Sequence, residues 1–318
     1  MTYRPPGMAL TMLEAVGDVW QWEGDIPIPR AVLLERSAHT TGLFSMLTDV
    51  IDEELLAGAP ELQVVSNMAV GVDNVDLAAC TGRGIPVGHT PDVLTGTTAD
   101  TAFGLLLMAA RRLAEGVTYV REGKWQSWDP GLLLGRDVHA STLGIVGFGR
   151  IGRAIARRAE GFDMEVIYTA RHRVSPRAAE RSARFVELRE LLLLADHVVV
   201  AVPQTDETYH LIGEEALALM KPTATLVNIS RGGTVDPEAL YRALRDGEIA
   251  AAGLDVTEPE PIPEASPLLT LENCLVIPHL GSSSLQTRAL MAELAARNLL
   301  AGLAGERLPA CANPEVYG

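Results

Sequence analysis

Two hydrophobic rhythms alternate along the chain. Short apolar runs bounded by glycine, proline or polar clusters predict buried strands at residues 143–146, 165–168, 197–202, 225–228, 251–254 and 274–277, with helical stretches between them. Residues 1–98 repeat the alternation on a smaller scale. There the pattern predicts helices at 8–16 and 52–57, strands at 31–34, 62–66 and 85–87, and a loop at 67–76 leading into a helix that ends near Cys80. Phe103, Leu106, Leu107, Ala110, Leu113, Ala114 and Val117 recur at i, i+3 and i+4, which predicts one long helix over 95–120, capped by Thr97 or Thr98. A last helix is expected at 284–303 behind Ser282 or Ser283. Strands alternating with helices imply α/β architecture with parallel sheets. Only seven residues, among them Pro5, Pro6 and Gly7, precede the first helix, so a first strand is expected to be truncated or absent.

With 318 residues the chain exceeds one ordinary core, and two domains are expected. The net charge of −15 argues against nucleic acid or an anionic membrane surface as partner, both of which need a basic face. Cys80, Cys274 and Cys311 are odd in number and show no C-x-x-C spacing, which suits buried reduced thiols and a cytoplasmic setting. The N-terminus shows no signal-peptide pattern, and the apolar run at 103–110 is too short to span a bilayer. No His, Cys or carboxylate cluster has metal-ligand spacing.

The stretch Leu143-Gly144-Ile145-Val146-Gly147-Phe148-Gly149-Arg150-Ile151-Gly152 joins an apolar strand to a helical run through G-x-G-x-x-G. That context is the one in which a dinucleotide pyrophosphate sits at a helix N-terminus. Gly147 permits the tight turn, Gly149 the approach of backbone to phosphate, and Gly152 close helix–strand packing. The next strand would end in Asp or Glu if the cofactor were NAD(H). It runs instead into Arg171-His172-Arg173, and two guanidinium forks favour a ribose 2′-phosphate. NADP(H) is therefore expected as the preferred cofactor, with NAD(H) as the alternative.

Further motifs carry a resemblance. Val70-Gly71-Val72-Asp73-Asn74, Thr90-Pro91-Asp92-Val93-Leu94, Val227-Asn228-Ile229-Ser230-Arg231-Gly232-Gly233, Ala252-Gly253-Leu254-Asp255-Val256, Glu260-Pro261 and Ile277-Pro278-His279-Leu280-Gly281 accompany the glycine motif. Together the chain resembles the D-isomer-specific 2-hydroxyacid dehydrogenase family, and within it the glyoxylate/hydroxypyruvate reductase branch. The likeness runs from about residue 60 to 305 and is weak before that.

The resemblance implies two Rossmann-like domains. A nucleotide-binding domain over 99–285 is inserted into a flavodoxin-like substrate domain built from 1–98 and 286–318, with a cleft between them. It implies that Arg231 binds the substrate's carboxylate and carbonyl, that His279 is the general acid, and that Glu260 fixes the His279 tautomer. Glu258 competes with Glu260; Glu260 is chosen because it directly precedes Pro261 and lies five residues after Asp255. Val70 and Gly71 would offer backbone amides to the substrate. Thr98, Ile229, Asp255 and Gly281 would lie along the cofactor, with Pro203 and Thr208 on its adenosine side.

Trp125-x-x-Trp128-Asp129-Pro130 resembles a loop that reaches into a neighbouring subunit, which implies a homodimer with Trp128 as the intruding residue. The implied reaction is NADPH-dependent reduction of glyoxylate to glycolate and of hydroxypyruvate to D-glycerate. Another small 2-ketoacid is the first alternative, and a nucleotide-sensing binding protein of the same fold is an alternative of a different class. His89 departs from the Asn usual before Thr-Pro, and no regulatory domain is expected beyond the last helix.

Overall fold

The structure, a computed structural model, describes residues 1–25, 27–173 and 183–318. It divides into two compact units, Met1–Leu94 with Ser283–Gly318, and Thr95–Ser282. The boundaries expected at 98/99 and 285/286 fall inside helices, and each helix instead stays whole within one unit. Among the described residues no helix is long and apolar enough to cross a membrane.

In the first unit, strands β1 (Gly42–Ser45), β2 (Val64–Asn67) and β3 (Val87–Gly88) form a parallel sheet in that order. Around it lie α1 (Ala9–Glu14), α2 (Arg30–Ser37), α3 (Glu53–Gly58) and α4 (Leu77–Gly82). Leu33, Leu43, Ile51, Leu55, Val65 and Val87 share its core. Asp52 and Asp76 cap α3 and α4 by accepting the amides of Leu55 and Ala79. No strand forms ahead of α1; Thr2 gives a single backbone hydrogen bond to Phe44. The 31–34 stretch, expected as a strand, lies in α2. Its four apolar residues fit either period, and burial of Leu33 and Ser37, four apart, shows the helical one. The strand of that region is Gly42–Ser45, too short to stand out in the pattern.

In the second unit seven parallel strands pair in the order β10-β9-β8-β7-β4-β5-β6. They are β4 (Thr142–Val146), β5 (Glu165–Thr169), β6 (Arg184–Phe185), β7 (His197–Val200), β8 (Thr225–Asn228), β9 (Ala251–Leu254) and β10 (Cys274–Val276). The expected long helix is two: α5 (Thr95–Ala110) and α6 (Leu113–Arg121), broken where Arg112 turns left-handed at φ +54°. Helices α5 and α7 (Arg150–Ala159) cover one face of the sheet. The other is covered by α8 (Leu188–Leu194), α9 (Glu214–Leu219) and α10 (Pro237–Arg245). Burial on both faces explains the uninterrupted Val198-Val199-Val200 run. Strand order reverses between β4 and β7, the switch point outside which such sheets bind ligands. The final helix, α11 (Leu285–Leu303), belongs to the first unit and is capped by Ser284, whose hydroxyl accepts the Thr287 amide; the expected caps were Ser282 or Ser283. Cys80 and Cys274 are buried free thiols, pushed up to about 11 and about 12 chiefly by desolvation.

Candidate active site

The glycine motif lies between β4 and α7, beside the switch point. Gly147 sits at φ +100°, and a Cβ there would come within 2.6 Å of the Ala201 carbonyl. A Cβ on Gly152 would collide with the Gly147 carbonyl, so both positions demand glycine. Gly149 differs: nothing in the protein lies within 4 Å of where its Cβ would be. It stands at the N-cap of α7, where no side chain caps the first amides. That combination fits a phosphate group at the helix end. The Phe148 ring is buried on Tyr168, 3.9 Å between centroids, which leaves its backbone as the part that could meet a ligand. Arg150 opens α7 and Ile151 is half-buried behind it.

Arg171, His172 and Arg173 follow β5 and are exposed. The Thr205–Thr208 turn lies close to them. Glu207 is held below the usual carboxylate range, first by a hydrogen bond from Thr205 and in part by the charge of Arg171. Thr208 closes that turn: its hydroxyl donates to the Pro203 carbonyl at 2.7 Å and accepts the Thr205 amide at 2.7 Å.

The three residues expected to do chemistry follow the C-terminal ends of three adjacent strands, Arg231 after β8, Glu260 after β9 and His279 after β10. Arg231 sits in a turn built on Asn228, which is 1% exposed. The Asn228 side-chain amide donates to the Arg231 carbonyl at 2.9 Å, and its oxygen accepts from the Ser230 amide and hydroxyl at 3.1 Å. Thr234 donates to the same carbonyl at 2.7 Å. Gly232 lets this turn touch the next loop, since a Cβ there would collide with the Thr257 carbonyl.

Glu260 Oε1 lies 2.6 Å from His279 Nδ1, so that nitrogen carries the proton it donates and Nε2 is left for other work. Burial works to raise the pKa of Glu260. The hydrogen bond from His279, together with the charges of His279 and Arg231, outweighs it and holds the carboxyl below its usual range. Glu258, the rival on sequence, turns instead to His210, at 2.8 Å.

Asp255 was expected beside the cofactor. The structure shows it 1% exposed, with Oδ1 accepting the Leu280 amide at 2.5 Å and Oδ2 the Gly281 amide at 2.9 Å. Burial raises its pKa, with those amides and His279 acting against the rise. Both oxygens thus hold the loop in which His279 adopts φ +51°. Thr98 and Ile229 are buried, and Thr98 lies against Gly281. Sequence reasoning assigned no role to Asn228 or Thr234. Asn228 stands three residues before Arg231 in the 227–233 motif, and that proximity is its only signal in the sequence.

In the first unit, the Val70 carbonyl is held by His89 Nδ1 at 3.0 Å and the Gly71 carbonyl by Asn67 at 3.2 Å. In the second, Trp125 and Trp128 are 61% and 80% exposed on the loop after α6, and Leu113, Val117, Val120 and Leu134 are exposed nearby in the chain.

Comparison with known proteins agrees with this arrangement. Residues 103–281 match the family model described as "D-isomer specific 2-hydroxyacid dehydrogenase, NAD binding domain". The chain is 50% identical to a glyoxylate reductase of Korarchaeum cryptofilum, over 99% of this chain and 96% of that one. It is 47% identical to the human glyoxylate reductase/hydroxypyruvate reductase, over 97% and 95% of the two chains. Among solved structures, an NADPH-dependent glyoxylate/hydroxypyruvate reductase of Sinorhizobium meliloti, crystallised with NADP and malonate, superposes with a TM-score of 0.86 at 33% identity, covering 98% and 96% of the two chains. With its parallel α/β two-domain fold, its glycine turn and these matches across nearly its whole length, the chain belongs to the D-isomer specific 2-hydroxyacid dehydrogenase family.

Proposed function

We propose that this oxidoreductase reduces small 2-ketoacids with NADPH, glyoxylate to glycolate and hydroxypyruvate to D-glycerate. The observation that carries the reading is the His279–Glu260 pair, 2.6 Å apart, beside Arg231. The names of the relatives support the substrate class. In this reading the turn at Gly147, Phe148, Gly149, Arg150, Ile151 and Gly152 holds the pyrophosphate, and Arg171, His172 and Arg173 hold the 2′-phosphate. Pro203 and Thr208 border the adenosine. Thr98, Ile229 and Gly281 line the nicotinamide end, where Asp255 acts through the loop it anchors. When bound, the nicotinamide supplies the hydride.

The chain's own work is orientation and charge. The Arg231 guanidinium, planar and always charged, binds the ketoacid's carboxylate and polarises its carbonyl. Val70 and Gly71 add backbone amides to the carboxylate. His279 Nε2 delivers a proton to the carbonyl oxygen, and Glu260, by accepting from Nδ1, holds the ring in the orientation for it. The exposed apolar side chains of α6 and of the tryptophan loop support a homodimer in which Trp128 enters the partner's substrate site. The unpaired thiols of Cys80, Cys274 and Cys311 support a cytoplasmic setting. Oxidation of NADPH and NADH, followed with glyoxylate, hydroxypyruvate, pyruvate and phenylpyruvate, tests the assignment. Fast NADPH turnover with the first two is expected. Absence of turnover with every ketoacid would point instead to a nucleotide-sensing protein.

A further inference from the structure

Glu260 reaches His279 only if the 257–261 segment keeps its place against the Arg231 turn, and one residue contacts both. His210 belongs to neither loop. It ends the short turn after β7, with a left-handed backbone at φ +49°. Non-glycine residues adopt that conformation infrequently, and it persists where the surroundings over-determine it. Its amide donates to the Gly233 carbonyl at 2.7 Å, two residues past Arg231. Its ring Nε2 donates to Glu258 Oε2 at 2.8 Å, two residues before Glu260. The ring is stacked on Tyr209, 4.0 Å between centroids. Asp236 lies 3.9 Å from Nδ1, beyond hydrogen-bond reach. Where Gly232 brings the two loops into backbone contact at Thr257, His210 therefore ties them together from the side.

We propose that His210 and Glu258 are a positioning pair for the reduction: through Glu258, His210 fixes the 257–261 segment against the Arg231 turn and so sets Glu260 on His279. Neither residue touches substrate. The inference rests on the reading of His279 as general acid. Its chemistry is geometric, because displacement of a catalytic group by an ångström costs on the order of a hundred-fold in rate.

The test compares wild type with His210→Ala, Glu258→Ala, their double variant and His210→Gln, whose amide can still donate to Glu258. Both alanine variants are expected to lower kcat by roughly ten- to a hundred-fold, with NADPH affinity unchanged. The double variant should be no worse than either single one, and His210→Gln should recover most of the rate. The NMR signal of the His279 Nδ1 proton that Glu260 accepts, read in the protein without substrate, should move in both alanine variants and return in His210→Gln. An unmoved Nδ1 signal, or effects that multiply in the double variant, would overturn the proposal. The NMR measurement needs no turnover. A wild type inert toward every ketoacid but with an Nδ1 signal that depends on His210 would reject the assigned reaction while upholding the pair.

Discussion

His279 Nδ1 stands 2.6 Å from Glu260 Oε1, with Arg231 close enough that its charge stabilises the same carboxylate. The carboxyl is thereby held below its ordinary range and accepts the Nδ1 proton of His279. Glu260→Gln removes that negative charge while keeping the shape. The value of kcat at pH 7.5 should fall by about one to two orders of magnitude, reaching the lower end of the span of general acid–base catalysis. Steady-state kinetics with NADPH and glyoxylate checks it.

His279→Gln deletes the proton donor itself. Ketoacid turnover should drop by roughly 10²–10⁴-fold, while NADPH affinity from fluorescence titration stays near wild type. A variant that lost both together would mean that the loop had collapsed.

Arg171 tests the cofactor assignment. Replacing it with alanine should weaken NADPH binding by about 1.5–3 kcal/mol, the range for a hydrogen bond to a charged group, and should leave NADH binding nearly unchanged. Calorimetric titration with the two cofactors reads the difference. Equal loss for both would remove the 2′-phosphate from the account.

Trp128 is 80% exposed. If it enters a partner's site, Trp128→Ala should raise KM for hydroxypyruvate several-fold and leave NADPH affinity intact, and wild type should sediment as a dimer. A monomer with unchanged KM in the variant would end that reading.

His197 gives a pH dependence of a different kind. It is 1% exposed on β7, and burial lowers its pKa against the opposing hydrogen bond to Asp137 and charge of Asp196. The unfolded chain takes up a proton near pH 6.5, whereas the folded chain resists it. Stability from this site is therefore intact above about pH 6.5 and is lost as pH falls toward the folded value, at about 1.4 kcal/mol per unit of pKa difference. Melting curves between pH 7.5 and 5 should be flatter for His197→Gln than for wild type.

The second unit was the more legible from sequence. Strands buried on both faces leave unbroken apolar runs, and the glycine spacing marks the β4–α7 turn without help from the rest of the chain. Elsewhere the local signal failed for identifiable reasons. Ala31-Val32-Leu33-Leu34 fits both periods, and Gly42–Ser45 and Arg184–Phe185 are too short to register. Nothing in the residues around Arg112 announces a left-handed break, and in the run of three serines before α11 the cap is Ser284, past the expected Ser282 or Ser283. At the site, Arg231, Glu260 and His279 stand in motifs that can be quoted. The groups that hold them do not: Asn228, Thr234 and His210 act through hydrogen bonds that exist only once separate loops meet.

The order of strands carries one further consequence. Arg231, Glu260 and His279 stem from β8, β9 and β10, whereas the residues assigned to the cofactor's phosphates stem from β4 and β5, with β7 between the two groups. At about 4.8 Å per strand, β9 and β5, the strands before Glu260 and Arg171, are separated by roughly 19 Å. Side chains that far apart and not in contact act independently. Cofactor preference and reaction chemistry are therefore separable traits of one sheet, and the rate effect of a change at Arg171 should multiply with that of a change at Glu260. The protein could then be moved from one cofactor to the other without rebuilding the end that handles the ketoacid.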